Sequence, residues 1–257
     1  MAKVSLHPSF MTTPLAHRGY HNAAARRPEN ALSAFRAAID AGYGIELDVQ
    51  RSADNRAVVF HDDTLERMTA KTGAVAEYSA ANLGKIALCD SEDLIPTLAD
   101  VLALVAGRVP LLIEIKELLG TMKDTPGLLE GAVADDLRFY NGPVAVMSFN
   151  PHCMAHMARF APKVARGLTT EAYDPAQNAP LSAETCARLR EIPDYEPTFS
   201  SFISHQASDL DRARVAALKA KGAAVLCWTI RSPEAEAKAR QIADNITFEG
   251  YGAALPA

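Results

Sequence analysis

Strand-like and helix-like segments alternate along this chain, and the alternation limits its possible folds more than any other feature. Apolar runs with strand character recur eight times, at 14–16, 45–49, 111–116, 144–149, 165–169, 201–205, 224–230 and 245–248. Segments compatible with helices separate most of these runs. Eight alternating β and α units in 257 residues predict a TIM (β/α)8 barrel. A doubly wound open sheet is the alternative, but the sequence has no Gly-rich dinucleotide-binding loop to support it.

The composition suits one large domain. Hydrophobic residues make up 49% of the chain, which is enough for one large core. Residues 62–95 are mostly polar and interrupt the alternation. We therefore predict a single barrel domain over residues 1–257, with a small insertion after the second strand at about 62–95.

Two acidic residues share one face of the second predicted strand. Side chains alternate faces along a strand, so Glu46 and Asp48 point one way while Ile45, Leu47 and Val49 point the other. Two carboxylates held a few ångströms apart repel each other, and each resists ionisation unless a cation lies between them. A hard divalent metal ion is the natural partner for such a pair.

The segment after this strand is predicted to fold back beside it. The loop at 51–56 is too short for the helical crossover that a parallel neighbour needs, so Val58 to His61 is predicted to return as a hairpin-like extension. The return carries His61 toward Glu46 and Asp48. Carboxylates and an imidazole on one short segment are typical of a hydrolytic metal site, and a surface hairpin with solvated acids is the alternative.

The strand at 111–116 repeats the two-residue spacing with Glu114 and Lys116. Both face the same side of an otherwise apolar strand, where an unpaired charge would be costly. Together with Glu46 and Asp48, Glu114 would complete an oxygen-rich site for Mg2+ or Ca2+. The set contains no thiolate, which makes zinc a weaker candidate.

The first predicted strand ends in His17-Arg18-Gly19, where Gly19 would let the backbone approach a ligand closely. In a barrel the working residues lie at the C-terminal ends of strands, so His17 and Arg18 join the candidate site. Asn30 is predicted to cap the helix that follows, and Gly42 is predicted to end that helix.

Charge and cysteine content argue against several classes of protein. The chain has 26 basic and 31 acidic residues, a net charge of -5, and dispersed basic residues, so duplex nucleic acid is not an expected partner. No stretch approaches the ~20 apolar residues of a membrane span, and residues 1–13 lack the apolar segment of a secretion signal. Cys89, Cys153, Cys186 and Cys227 lie far apart in sequence. A reducing cytoplasm is therefore the expected location.

Seven short motifs occur in a familiar order and spacing. They are His17-Arg18-Gly19, Pro28-Glu29-Asn30, Glu46-Leu47-Asp48-Val49, Val58-Val59-Phe60-His61-Asp62, Leu65-Glu66-Arg67, Ile95-Pro96-Thr97-Leu98 and Glu114-Ile115-Lys116. Each motif alone is weakly specific, whereas seven in register are strong. The chain thereby resembles the glycerophosphodiester phosphodiesterase family over most of residues 14–116, with a looser likeness as far as Trp228-Thr229.

The resemblance implies a TIM barrel with a small insertion that hydrolyses small-molecule glycerophosphodiesters to sn-glycerol 3-phosphate and an alcohol with a divalent cation. It implies metal binding by Glu46, Asp48 and Glu114, acid and base catalysis by His17 and His61, and a place near the phosphate for Arg18 and Lys116. The residue types agree with these roles, since a guanidinium fork suits two phosphate oxygens and imidazoles titrate near neutrality. The alcohol, the choice between Mg2+ and Ca2+, the assignment of the base, a cyclic intermediate and the oligomeric state stay open.

Three positions depart from the family pattern. Ala31 stands where the family usually has Thr, and Asn55 stands where a turn Gly is common. Thr247-Phe248-Glu249 stands where the family more often has a Thr-Asp pair. The last departure leaves the final strand's loop, and with it the leaving-group pocket, undefined.

Other functions fit parts of the pattern. A glycosidase would use Glu46 and Glu114 as its carboxyl pair and would need neither Arg18 nor metal. A non-catalytic barrel would bind a phospho-ligand without turnover. A lysophospholipase D-like enzyme would apply the same chemistry to lysophospholipids.

Several further residues could serve either structure or function. Trp228, the only tryptophan, either packs in the core or forms a wall of the substrate pocket. His152 and His156 are four residues apart on a predicted helix but lack the Glu of a metalloprotease motif, so a structural role is expected. A structural role is also expected for His205 at a strand end.

Overall fold

In the described part of the chain, nine strands form one sheet that closes on itself. The computed structural model of the protein describes residues 2–117 and 120–255. The strands are β1 (Leu15–Ala16), β2 (Gly44–Arg51), β3 (Ala57–Val59), β4 (Leu111–Ile115), β5 (Val144–Ser148), β6 (Ala165–Thr170), β7 (Phe202–Gln206), β8 (Ala224–Ile230) and β9 (Asn245–Phe248). All except β3 run parallel, and Leu15 of β1 pairs with both Gly44 of β2 and Thr247 of β9. The predicted TIM barrel is confirmed, and the open-sheet alternative is wrong.

The hairpin return predicted after the second strand is confirmed. β3 runs antiparallel to β2, with Val59 opposite Val49 and Ala57 opposite Arg51. In the turn between them Asn55 has a φ of +56°, a conformation that Asn adopts more readily than most residues. The chain therefore leaves the barrel at β2 and returns to the same edge, which brings His61 back toward the acids of β2.

Helices surround the barrel, most of them between successive parallel strands. They are α1 (Ser9–Thr12), α2 (Leu32–Asp40), α3 (Ala80–Leu83), α4 (Leu98–Val105), α5 (Leu128–Leu137), α6 (Pro151–Phe160), α7 (Ala183–Arg190), α8 (Ala213–Ala220) and α9 (Pro233–Ala239), with short 3-10 helices at Ala23–Ala25, Val75–Glu77, Pro193–Tyr195 and Ala207–Asp209. Capping by nearby side chains explains where several of these helices begin. The Thr97 hydroxyl accepts from the Asp100 amide and the Asp100 carboxylate accepts from the Thr97 amide, which fixes the start of α4. Among the described residues, no helix is both long enough and apolar enough to cross a membrane.

The predicted role of Asn30 as a helix cap is wrong. The residue before α2 is Ala31, and its side chain makes no capping hydrogen bond. Asn30 instead donates from Nδ2 to Asp48 Oδ2 at 2.9 Å and accepts from the Asp48 amide at 3.3 Å. A buried carboxylate gains more from this amide than a helix end that has another partner. That partner is Asp93, whose carboxylate accepts from the Ser33 amide at 3.2 Å in the first turn of α2.

Residues 62–95 fold against the hairpin rather than away from it. The segment contains α3 and the 3-10 helix Val75–Glu77, and it has an apolar cluster of its own. That cluster continues into β3, the residue after it and the start of α2. Its buried members are Leu65, Val75, Ala80, Leu83, Ile86, Leu88 and Ile95 with Val58, Phe60, Ala31 and Ala34. The loop that carries His61 therefore rests on this segment.

The N-terminal end of the barrel interior is closed by apolar side chains, which we call the floor. Its buried members are Phe10, Leu15, Leu112, Ala145, Ala165, Phe202 and Leu226, together with Met147, which extends toward the other end of the barrel. Gly167 leaves space for the Phe202 ring, because a Cβ on Gly167 would lie 2.5 Å from it. The floor contains no charged group, whereas the buried acids Glu46, Asp48 and Glu114 lie toward the opposite, C-terminal end of the barrel.

Candidate active site

Three buried carboxylates meet at the C-terminal ends of β2 and β4. Glu46 and Asp48 lie on one face of β2, and Asp48 is the register partner of Glu114 on β4. One carboxylate oxygen from each residue lies within 4.8 Å of those from the other two. The three residues are 1%, 1% and 6% exposed. So much negative charge away from water requires cationic neighbours, protonation or a bound cation.

Two cationic side chains approach this cluster. Lys116 Nζ lies 2.9 Å from Asp48 Oδ1 and 2.6 Å from Glu114 Oε1. Arg18 Nε lies 3.4 Å from Asp48 Oδ2. Burial alone would lower the pKa of Lys116, but the charges of Asp48 and Glu114 outweigh it and raise the pKa above its ordinary value. The ammonium group is therefore charged at physiological pH.

The two acids of β2 have opposite electrostatic surroundings. Burial, together with the charges of Asp48 and Glu114, raises the pKa of Glu46 well above its ordinary value. Burial acts in the same direction on Asp48, but the charges of Lys116, His61 and Arg18 outweigh it and lower the pKa of Asp48 far below its ordinary value. Of the two acids of β2, Glu46 is thus the one with a charge poorly compensated by its surroundings.

His61 reaches the site from the hairpin return. Its Nδ1 lies 2.7 Å from Asp62 Oδ1. Burial lowers the pKa of His61 below its ordinary value; Asp48 opposes this shift, whereas the charges of Lys116 and Arg18 add to it. The imidazole is therefore predominantly neutral at pH 7.

A chain of charged groups connects His61 with Arg18. Asp62 receives two hydrogen bonds from Arg67, and Glu29 receives two more from the same guanidinium. Glu29 in turn accepts from Arg18 Nη1 at 2.8 Å. Sequence analysis assigned no role to Glu29, Asp62 or Arg67, although all three lie within the seven motifs.

His17 is held by a residue that sequence reasoning did not assign. Its Nδ1 lies 2.5 Å from Glu249 Oε2, while its Nε2 lies 3.9 Å from Glu46 Oε2. Glu249 also accepts from Arg231 Nε at 2.7 Å. The hydrogen bond with His17 lowers the pKa of Glu249 far below its ordinary value. Since Glu249 engages Nδ1, the other ring nitrogen faces the carboxylates. The departure from the family pattern at Thr247-Phe248-Glu249 was the feature of the sequence that could have pointed to Glu249.

A cavity of about 240 Å3 opens at this end of the barrel. Every residue singled out from the sequence for metal, phosphate, acid–base or pocket roles lines it. The polar lining is His17, Arg18, Glu46, Asp48, His61, Glu114, Lys116, Thr229, Arg231 and Thr247, and the apolar lining is Met147, Phe149 and Trp228. The Trp228 indole donates to the Ser204 carbonyl at 3.0 Å and meets the Phe149 ring edge-on at 5.6 Å. Trp228 therefore forms part of the cavity wall.

The other histidines of interest lie outside the cavity. The buried His205 ring bonds with Thr170 Oγ1 at 2.8 Å and with Asp209 Oδ2 at 3.1 Å. His156 bonds with Asp124 at 2.9 Å. Over residues 2–117 and 120–255, Glu46, Asp48 and Glu114 are the one group of three or more acidic, histidine or cysteine side chains close enough to share a metal ion.

The arrangement combines three chemical capabilities in one small space. Carboxylate oxygens provide ligands for a hard cation. Two fixed positive charges can neutralise an anionic substrate in a partly dry cavity. Two imidazoles provide ring nitrogens that can accept and donate protons.

Comparisons with known proteins agree with this chemistry. The sequence model of the glycerophosphoryl diester phosphodiesterase family matches residues 17–247. An uncharacterized protein of Bacillus subtilis is 36% identical over 168 residues, and a glycerophosphodiester phosphodiesterase of Bacillus altitudinis is 34% identical over 169; each match covers 62% of this chain and 67% of the relative. An Oleispira antarctica phosphodiesterase, solved in complex with the product sn-glycerol-3-phosphate, has a TM-score of 0.76 and 25% identity over 94% of both chains.

Proposed function

Since the chain belongs to the glycerophosphoryl diester phosphodiesterase family and is a phosphoric diester hydrolase, we propose that it hydrolyses glycerophosphodiesters to sn-glycerol 3-phosphate and an alcohol with a divalent cation. One observation carries the proposal: three carboxylates, two imidazoles and the cationic side chains of Arg18 and Lys116 line one small cavity. The product bound by the Oleispira antarctica relative supports the substrate class. A glycosidase would have no use for Arg18 and Lys116, and the family assignment argues against it.

Glu46, Asp48 and Glu114 would hold the cation. Their donor atoms are carboxylate oxygens, the ligands that Mg2+ and Ca2+ prefer, and they are close enough to share one ion. The raised pKa of Glu46 reports a charge that the protein's own side chains leave uncompensated, which a divalent cation would correct. When bound, the cation would supply Lewis-acid polarisation of a phosphoryl oxygen.

Arg18 and Lys116 would bind the phosphate. A phosphodiester resists attack because its anionic oxygens repel the nucleophile, so fixed positive charge beside it lowers the barrier. The Arg18 guanidinium is anchored by Glu29 at 2.8 Å, and Lys116 is held by two carboxylates. Both charges are therefore oriented before the substrate arrives, which limits the reorganisation needed during reaction.

His17 and His61 would divide the proton transfers. One imidazole takes a proton from the attacking hydroxyl, and the other gives a proton to the leaving alcohol oxygen. Each ring is fixed through Nδ1 by a carboxylate, Glu249 for His17 and Asp62 for His61. This leaves Nε2 of each ring for the reacting groups.

The proposal is tested by assaying purified protein with glycerophosphocholine. We expect release of glycerol 3-phosphate that stops in chelator and resumes with Mg2+ or Ca2+. His17→Ala and His61→Ala should each lower kcat by about 10²–10⁴. Replacing His152, whose side chain is 49% exposed and lies outside the cavity, provides the matched control and should leave kcat unchanged.

Two results would contradict the proposal. Full turnover in chelator would remove the metal from the mechanism, and full turnover in both histidine variants would remove their proton transfers. A parallel assay with lysophosphatidylcholine separates glycerophosphodiesters from lysophospholipids, whose cleavage uses the same chemistry.

A further inference from the structure

Arg67 lies on the inserted segment and stands between two carboxylates. Its Nε and Nη2 donate to the two oxygens of Asp62 at 2.5 and 3.0 Å. Its Nη1 and Nη2 donate to the two oxygens of Glu29 at 3.1 and 2.6 Å. Arg67 does not itself line the cavity. One guanidinium therefore joins two loops that are far apart in sequence.

Each carboxylate bound by Arg67 holds a residue that does line the cavity. Asp62 Oδ1 lies 2.7 Å from His61 Nδ1, and Glu29 Oε1 accepts from Arg18 Nη1 at 2.8 Å. The path from Arg67 to either cavity residue therefore contains a single intervening carboxylate. A displacement of Arg67 would therefore change the positions of both His61 and Arg18.

The chemistry of arginine suits this position. A planar guanidinium has five N–H donors and can bind two carboxylates in two-pronged fashion, whereas a lysine ammonium is a point charge. Glu29 and Asp62 share the Nη2 of Arg67, so without this group two carboxylates would face each other with less compensating charge. Repulsion between these two carboxylates would then displace them, and with them His61 and Arg18.

The inserted segment holds Arg67 in place on both sides. Two residues earlier, Leu65 is fully buried in the apolar cluster that also contains Phe60 of the hairpin return. On the other side the Met68 carbonyl accepts from the Cys89 amide at 2.7 Å. The backbone around Arg67 is therefore anchored, and its side chain transmits that fixed position to the site.

We propose that Arg67 is a positioning residue that sets His61 through Asp62 and Arg18 through Glu29, so that the insertion orients the catalytic groups without touching the substrate. The inference rests on the proposed function, because it assigns the insertion a role in that reaction. It differs from a purely structural role in one respect: the loss of Arg67 should alter the chemistry of protein that remains folded.

The first test removes the guanidinium and supplies it again in solution. Arg67→Gly should lower kcat/KM for glycerophosphocholine by about 10²-fold, the cost of slight misplacement of reacting groups. Free guanidinium at non-denaturing concentration should restore part of the activity. The Arg67 side chain is 47% exposed, so the space that it leaves in the glycine variant is open to solvent. Arg188→Gly is the matched control: Arg188 binds Asp194 at 2.8 and 2.6 Å, is 54% exposed and lies outside the cavity. It should keep full activity with and without guanidinium.

The second test separates the link from Arg67 through Asp62 to His61 from the link through Glu29 to Arg18. Asp62→Ala releases His61 and should mainly lower kcat, whereas Glu29→Ala releases Arg18 from one anchor and should mainly raise KM. Arg67→Gly should change both constants. Arg67→Lys retains the charge but cannot bind both carboxylates in two-pronged fashion, so it should recover only part of the loss and serves as the second variant if the glycine variant is unstable.

A spectroscopic readout does not depend on turnover. The ring nitrogen resonances of His61, assigned with His61→Ala, should shift in Arg67→Gly and stay in place in Arg188→Gly.

Unchanged kcat, KM and His61 resonances in both Arg67 variants would overturn the inference. So would a loss of activity that follows the loss of folded protein and is not rescued by guanidinium. A wild-type protein that does not hydrolyse glycerophosphodiesters would instead overturn the proposed function, and the His61 resonances would then decide the positioning role by themselves.

Discussion

The two ends of the barrel interior are built from the same strands and have opposite physical characters. β4 gives Leu112 to the floor and, two residues later, Glu114 to the C-terminal end, which we call the mouth and define by the cavity-lining residues. At the floor, apolar side chains such as Phe10 and Phe202 are fully buried against each other. At the mouth, burial and the nearby charges of Asp48 and Glu114 raise the pKa of Glu46. The floor stabilises the fold, whereas the mouth keeps costly charges that are useful for binding and chemistry.

The largest effect on stability is expected from removing a large side chain from the floor. Phe10→Ala removes a fully buried ring and should lower the free energy of unfolding by about 3–5 kcal/mol, through lost burial and the cavity left behind. The activity of the remaining folded protein should not change, because Phe10 is at the opposite end from the catalytic groups. Urea unfolding measures the first quantity and kcat/KM at low temperature measures the second.

Phe139→Ala is the control for this change. Its side chain is 85% exposed, so the same truncation should cost little. If Phe10→Ala were as stable as this control, or if it were stable but inactive, the separation between a stabilising floor and a functional mouth would be wrong.

The next effect has opposite signs for activity and stability. Glu46→Gln keeps the shape and the acceptor oxygen for the Arg18 amide but removes a charge at the mouth. We expect kcat to fall by about 10²–10³, equivalent to ~2.7–4 kcal/mol of lost transition-state stabilisation. In chelator, the melting temperature of the variant should exceed that of the wild type at pH 7–8.

The pH dependence of this gain follows from the direction of the pKa shift. The folded-state pKa of Glu46 is raised, so as pH increases the unfolded chain ionises first and the wild type loses stability that glutamine retains. The gain should therefore shrink as pH falls toward the ordinary carboxyl value of 4.5. Glu66→Gln, at an exposed carboxylate with a lowered pKa, should neither reduce activity nor give this gain. An active Glu46→Gln enzyme would contradict the role of the mouth.

The acidic residues of the mouth could be predicted from the sequence alone. The faces of Glu46 and Asp48 follow from the two-residue period of a strand, and Glu114 follows from the same period on a neighbouring strand. The barrel follows from the alternation of segments. These features depend on local pattern and on a fold with fixed geometry, which is why they could be predicted.

The groups that support the mouth depend on contacts between distant loops. Glu249 and His17 are 232 residues apart, and Arg67 and Glu29 are 38 apart. No local periodicity relates such pairs, because their distance is set by how the loops pack. Asn30 failed as a predicted cap for the same reason: Asp93, 60 residues from Ser33, supplies the hydrogen bond to the helix.

The smallest expected effect concerns a glycine at the edge of the floor. On Gly167 a methyl group would lie 2.5 Å from the Phe202 ring, whereas on Gly131 in α5 it would meet no atom within 4 Å. Gly167→Ala should therefore lower the free energy of unfolding by about 1–3 kcal/mol through overpacking, and Gly131→Ala should raise it by about 0.5–1 kcal/mol because alanine loses less conformational freedom in a helix. Urea unfolding of both variants gives the two signs in one experiment. Equal effects would mean that the Phe202 ring moves aside freely, and the close packing that is taken to make the floor the stabilising end of the barrel would be wrong.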